Sequence, residues 1–204
     1  MYVPRAFAVD DDAAWDLLDA SGVGTLVVAT PAGLRSVFAP VVADRAQRRL
    51  WGHVARGNEL VRVSETGDEV LRSFMVAHGY VSPNYYRSRT PQFAQAPTWN
   101  YVTVEVRGSV SWHDDATVVE DIVRSLTETF EGDRDDPWRV DDAPRDYIDR
   151  LLRGIVGFEI AVTDIIGAAK LSQNKSDDDR DAIRAEFATH DDATREVARW
   201  MERS

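Results

Sequence analysis

Four hydrogen-bonding side chains fall within five residues at Lys170, Ser172, Gln173 and Asn174, directly after an apolar run. An ammonium, a hydroxyl and two amides leaving a β core can hold a phosphate or the carbonyl and amide edges of a ring. The same cluster also reads as a cap feeding the acidic run that follows. A second cluster, "GHVARGN", places His53, Arg56 and Asn58 where a strand turns into a helix. Free backbone N–H groups and a guanidinium fork suit an anion there. Alternatively, Arg56 pairs with one of the many carboxylates and His53 caps the strand.

Other chemistries find less support. The chain has no cysteine, which excludes thiolate metal sites, disulfides and cysteine nucleophiles. His53, His78, His113 and His190 are scattered with no metal-ligand spacing, and Ser82 precedes Pro83 without a nucleophile-elbow motif. The carboxylates crowd into solvated runs rather than beside apolar strand residues that would raise a pKa. No catalytic residue and no metal ligand is assigned. Chemistry at such a site would come from a bound cofactor.

Positioning these clusters requires strands. Valine-rich or alternating segments at 24–30, 34–44, 50–54, 69–77, 80–82, 98–113 and 155–174 read as strands, the 69–77 and 80–82 pieces separated by a break at Gly79. Helical spacing marks 10–20, 114–131, 143–154 and the charged last 28 residues, with a short helix from Gly57 to Val63. Short consecutive strands joined by turns predict an α+β fold built on an antiparallel split barrel with peripheral helices. Residues 1–175 are expected to form that barrel domain and 176–204 a C-terminal helical segment. No Gly-rich phosphate fingerprint follows any strand. Between Gly79 and Tyr101 lies a loop rich in rings, with Tyr80, Tyr85, Tyr86 and Trp99, which predicts packing against a flat ligand or another chain.

At 204 residues and 44% apolar composition the chain is globular, and its net charge of −11 sets it against direct contact with bare DNA. No apolar run is long enough to span a bilayer, and no signal core opens the sequence. The expected location is cytoplasmic.

"MYVPRAF", "GTLV", "GHVARGN", "YVSPNYY", "APTWNY", "LLRGIVGFEI" and "KLSQN" stand in one order from Met1 to about Arg180. Together they resemble the PaiB-like FMN-binding negative transcriptional regulators. The resemblance implies a flavin-binding split barrel, a homodimer with flavin at the subunit interface, and FMN as cofactor. The sites implied are His53, Arg56, Asn58, Trp99, Asn100, Lys170, Ser172, Gln173 and Asn174. Among them, Arg56, Asn58 and Lys170 are expected near the phosphate, and Ser172, Gln173 and Asn174 near the ring edge. It leaves open a flavin-dependent oxidoreductase, or a cofactor-less relative that binds proteins. Departures from the family pattern are Val37–Phe38 before Pro40, Val76–Ala77 after Phe74, and Ala168 upstream of the "KLSQN" run.

Overall fold

A computed structural model describes residues 1–90 and 95–203 of the chain. Seven strands form one sheet: β1 (Val23–Thr30), β2 (Gly33–Pro40), β3 (Val42–Asp44), β4 (Arg49–Ala55), β5 (Glu69–Val81), β6 (Thr98–His113) and β7 (Ile155–Lys170). The helices are α1 (Asp11–Ser21), α2 (Glu59–Val63), α3 (Ala116–Glu131), α4 (Arg145–Leu152), α5 (Asp177–Phe187) and α6 (Asp192–Glu202). The strand order is β2-β1-β5-β6-β7-β4-β3, and the β1–β2, β1–β5, β3–β4 and β4–β7 pairs are antiparallel. This is the expected α+β split barrel.

The chain divides into two compact units. The first comprises Met1–Ala20, Met75–Glu105 and Ile166–Ser204, and the second Ser21–Phe74 and Val106–Ile165. In the second unit, β2 and β3 lie at opposite edges of the strand order, yet Val41 alone joins them. One residue spans only about 3.5 Å, so the sheet must roll until its edges meet. No ladder is formed across that seam, and the barrel stays split. Val41 is buried and its N–H donates to Gly22 O at 2.8 Å. Pro40, which lacks a donor, ends the strand that was expected to continue unbroken to Asp44.

The rolled sheet holds Leu26, Val28, Leu50, Val54, Phe74, Val106, Val110, Phe158 and Ile160, all buried. A side chain at Gly52 would lie 2.6 Å from Pro40 O and 2.5 Å from the Phe158 ring, so only glycine lets β4 approach the end of β2. Within the same unit, Val119, Val140, Ile148 and Leu152 form a second core between α3 and α4.

In the first unit, α5 buries Ile183 and Phe187, and α6 buries Val197, Ala198 and Met201. Strand β5 runs from Glu69 to Val81 without the break expected at Gly79. There a Cβ would sit 3.0 Å from the Phe187 ring and 3.4 Å from Thr194, so the glycine serves helix packing rather than a turn. Of the ring-rich stretch, residues 91–94, Phe93 among them, lie outside the described residues. Among the described residues, no helix is long and apolar enough to cross a membrane.

Because Gly52 meets backbone and a packed ring, Gly52→Ala should lower unfolding free energy by about 1–3 kcal/mol in urea melts. An unchanged midpoint would mean that the seam is not closely packed.

Candidate functional site

The predicted residues fall in both units. His53, Arg56 and Asn58 belong to the second; Trp99, Asn100, Lys170, Ser172, Gln173 and Asn174 belong to the first.

Strand β4 ends at Ala55 and α2 begins at Glu59, so Arg56 and Asn58 sit in the turn between them. The Asn58 side-chain oxygen accepts from Leu60 N at 3.0 Å and caps α2. Arg56 donates to Arg153 O at 2.8 Å, Ile155 O at 3.0 Å and the Asp114 carboxylate at 2.5 Å. The hydrogen bond from Arg56 holds Asp114 below the usual carboxylate range. This guanidinium is therefore committed to joining β4 to the α4–β7 and β6–α3 connections. His53 is half-buried, its Nδ1 has no hydrogen-bond partner among the described residues, and burial pushes its pKa down. It is neutral at pH 7.

The "KLSQN" run follows directly from the end of β7. Ser172 is buried with φ of 62°, the left-handed region, which turns the chain sharply out of the strand. Its hydroxyl donates to Asn100 Oδ1 at 2.9 Å, and the Asn100 amide reaches Met201 Sδ at 3.7 Å. Gln173 is spent on local backbone: Oε1 accepts from Leu171 N at 2.7 Å, and Nε2 donates to Ala169 O at 2.5 Å. Ser172, Gln173 and Asn100 thus shape the loop, while Asn174 is exposed. Upstream, Ala168 is buried and bridges Ala8, so the position where the family pattern has a lysine is filled by core.

What the loop presents is cations. Lys170 donates to Thr98 Oγ1 and lies 5.8 Å from the Tyr101 ring centroid. Lys175, one residue beyond the quoted run, donates to Gln95 Oε1 at 2.9 Å and lies 4.9 Å from the Tyr86 ring centroid. They are the only two lysines in the chain, all its other basic residues being arginine or histidine. Neither has a carboxylate partner among the described residues. Burial, and then the charge of Lys175, push the Lys170 pKa down. An anion beside Lys170 would favour its charged form. Compact ammonium groups bind phosphate as point charges. Tyr86 adds a hydroxyl buried without a hydrogen-bond partner among the described residues.

Asp179 on α5, which is 3% exposed, holds the stretch that follows Tyr86. Its carboxylate accepts from Ser88 N at 2.9 Å and Ser88 Oγ at 2.6 Å. Burial alone would raise its pKa, but bonds from the Ser88 side chain and backbone, Ser176 and Arg87 outweigh it and lower the pKa.

Trp99 turns away from this cluster. Successive residues of a strand face opposite sides, and Asn100 is fully buried where Trp99 is 51% exposed. The Trp99 ring stands 5.8 Å from His78 and 5.7 Å from Tyr80. Phe38 is 70% exposed on β2 and fills no space within its own chain.

One polar residue escaped the sequence reading. Arg72 of β5 is fully buried, donates to Ala39 O, and lies 5.0 Å from the Phe74 ring centroid and 5.8 Å from that of Phe158. Its Nε and Nη1 have no hydrogen-bond partner among the described residues, and burial pushes its pKa down to about 9. Its signal was the alternation that gives Val70, Arg72 and Phe74 one common face.

The antiparallel, unclosed sheet with its peripheral helices matches the flavin-binding split-barrel class of fold. The family described as "Putative FMN-binding domain" matches residues 1–164, and the chain belongs to it. It is 31% identical over 182 residues to the Bacillus subtilis protease synthase and sporulation protein PAI 2, covering 88% of this chain and 85% of that one. It is also 32% identical over 134 residues to an uncharacterized protein of Emericella nidulans, covering 60% of this chain and 53% of that one. Among solved structures it is similar to the flavocytochrome Anf3 of Azotobacter vinelandii, with a TM-score of 0.61 and 13% identity over 89% of this chain and 78% of that one. A FAD and haem binding protein of Mycobacterium smegmatis gives 0.58 and 16% identity over 85% and 77%. At such identities these two establish the shared fold. The cofactor that family membership supports is FMN or a related flavin.

Because its pKa is depressed on folding, Asp179 adds stability above its unfolded pKa of about 3.9, lost as pH falls through the lower folded value. Asp179→Ala should therefore cost about 2 kcal/mol at pH 7 and progressively less as pH falls below about 3.9, read from denaturant melts. An equal loss across that range would contradict the ionised anchor.

Proposed function

We propose that the protein is a homodimeric, FMN-binding regulator of the PaiB type, and that it seats the flavin phosphate between Lys170 and Lys175. The observation that carries this reading is the lysine pair: two cations without carboxylates, in a chain of net charge −11 that otherwise pairs its arginines freely. The residues present fit a phosphate. Arg56 and Asn58 are each committed within the second unit, so the phosphate role expected of them passes to the lysines. Ser172, Gln173 and Asn100 hold the loop, and the exposed Asn174 offers an amide to a ring edge. When bound, a flavin supplies electron and hydride chemistry, while these side chains supply attachment and positive charge. The regulatory part rests on the relative named for protease synthesis and sporulation. With so acidic a surface, regulation through another protein is favoured over direct readout of DNA.

The homodimer is supported by β2, an edge strand whose Leu34 and Phe38 are 71% and 70% exposed with Ser36 between them. Two copies of a strongly acidic chain meet most readily where acid is sparse, and β2 itself carries none.

Titration of FMN followed by flavin fluorescence tests the cofactor site. Lys170→Gln should bind FMN about tenfold more weakly with an unchanged melting temperature, the loss of one charge-assisted contact. Unchanged affinity would move the phosphate elsewhere, and rapid bleaching of bound flavin by NADH or NADPH would make the protein a reductase instead. Phe38→Asp should convert a dimer into a monomer in light scattering; a dimer that persists would exclude that face.

A further inference from the structure

On the outward side of the first unit, His78, Gly79 and Tyr80 of β5, Tyr85, Trp99 of β6, and the α5–α6 turn enclose a cleft of about 270 Å³. We infer that this cleft binds a small organic cation of the quaternary-ammonium type, at a site separate from the lysine pair. Its walls are rings. Trp99 meets His78 at 54° and Tyr80 at 68°, while Tyr85 meets His190 at 74° with centroids 6.2 Å apart. Tilted rings around a hollow expose π faces to whatever enters, and a π face attracts a cation. Trp99 and Tyr80 are about half exposed, so their faces are accessible within the single chain.

Among the described residues, the one carboxylate in the wall of the cleft is Asp191, with the rings of His78 and His190 beside it. The Asp191 Oδ1 accepts from Thr194 N at 2.9 Å as the cap of α6. That bond, first among the causes, lowers its pKa and keeps it ionised. Glu186 lies 3.4 Å from the His190 ring at the same end. Arg195, the nearest guanidinium, is turned to His190 O and Asp192. No lysine or arginine lines the cleft. An anion such as a flavin phosphate would therefore face a carboxylate here, whereas an alkylated ammonium meets rings on its sides and one charge at its end. Bare ammonium ions hold their water too strongly to exploit such rings, and N-methylation removes that cost.

The cleft is backed by close packing. Gly79 lets Phe187 and Thr194 close onto β5, and Tyr85 is braced by Phe187 at 6.4 Å. Neither contact involves the lysine loop, so the cleft stands or falls independently of the flavin reading.

Choline and its uncharged isostere 3,3-dimethylbutan-1-ol separate charge recognition from simple apolar filling. Calorimetric titration of the full chain should give millimolar binding of choline and binding of the isostere about tenfold weaker. Trp99→Ala should abolish choline binding. Asp191→Asn, which still caps α6, should weaken choline several-fold and leave the isostere unchanged. Equal binding of the two compounds, or no choline binding, would overturn the inference. So would conversion of a dimer to a monomer by Trp99→Ala with choline inert, which would make the cleft part of a subunit contact.

Discussion

Val41 is one residue long and joins two strands at opposite edges of the sheet order. Everything in the second unit follows from that constraint. The sheet has to roll, and rolling creates an interior that alternate residues of each strand must fill. It also forces β4 against the end of β2, where only Gly52 fits. Into that interior the chain places Arg72, a cation between two phenyl rings with a single backbone acceptor. A buried charge without a counter-ion is costly. The flanking Phe74 and Phe158 faces offset part of the cost, because each presents its negative quadrupole to the guanidinium.

In the first unit the organising force is electrostatic. Its α5 starts with Asp177, Asp178 and Asp179, of which the last is turned inward to bind the Ser88 region. The lysines stand just before that acidic turn, yet neither pairs with it. Thr98, Gln95 and the tyrosine rings hold them by neutral contacts instead. Arginines elsewhere are used in the opposite way: Arg124 and Arg145 share Glu120, and the hydrogen bonds from Arg145 and Arg124 hold it at about pKa 2. Lysine and arginine thus divide the labour, one held by neutral contacts and the other spent on the fold.

Much of this was legible in the residues. Valine alternation gave β6 its bounds at Thr98 and His113, and helical spacing from 114 to 131 located α3. What escaped depends on partners remote in sequence. Gly79 reads as a breaker until Phe187, 108 positions later, is seen against it. Arg56 reads as a free anion binder until Asp114 and two carbonyls claim it. Gln173 and Ser172 have the chemistry of ligand contacts, but a left-handed turn needs that chemistry for itself. Lys175 lay outside the recognisable run, and its significance comes from the missing carboxylate, which spacing cannot reveal.

In the proposed complex the lysines recognise a phosphate and not a ring. The direct measurement is the ratio of riboflavin to FMN dissociation constants, compared between the natural protein and Lys175→Gln. If the lysines hold the phosphate, the natural protein prefers FMN by about tenfold or more, and the substitution weakens FMN alone, so the preference shrinks. A ratio that the substitution leaves unchanged would contradict the claim.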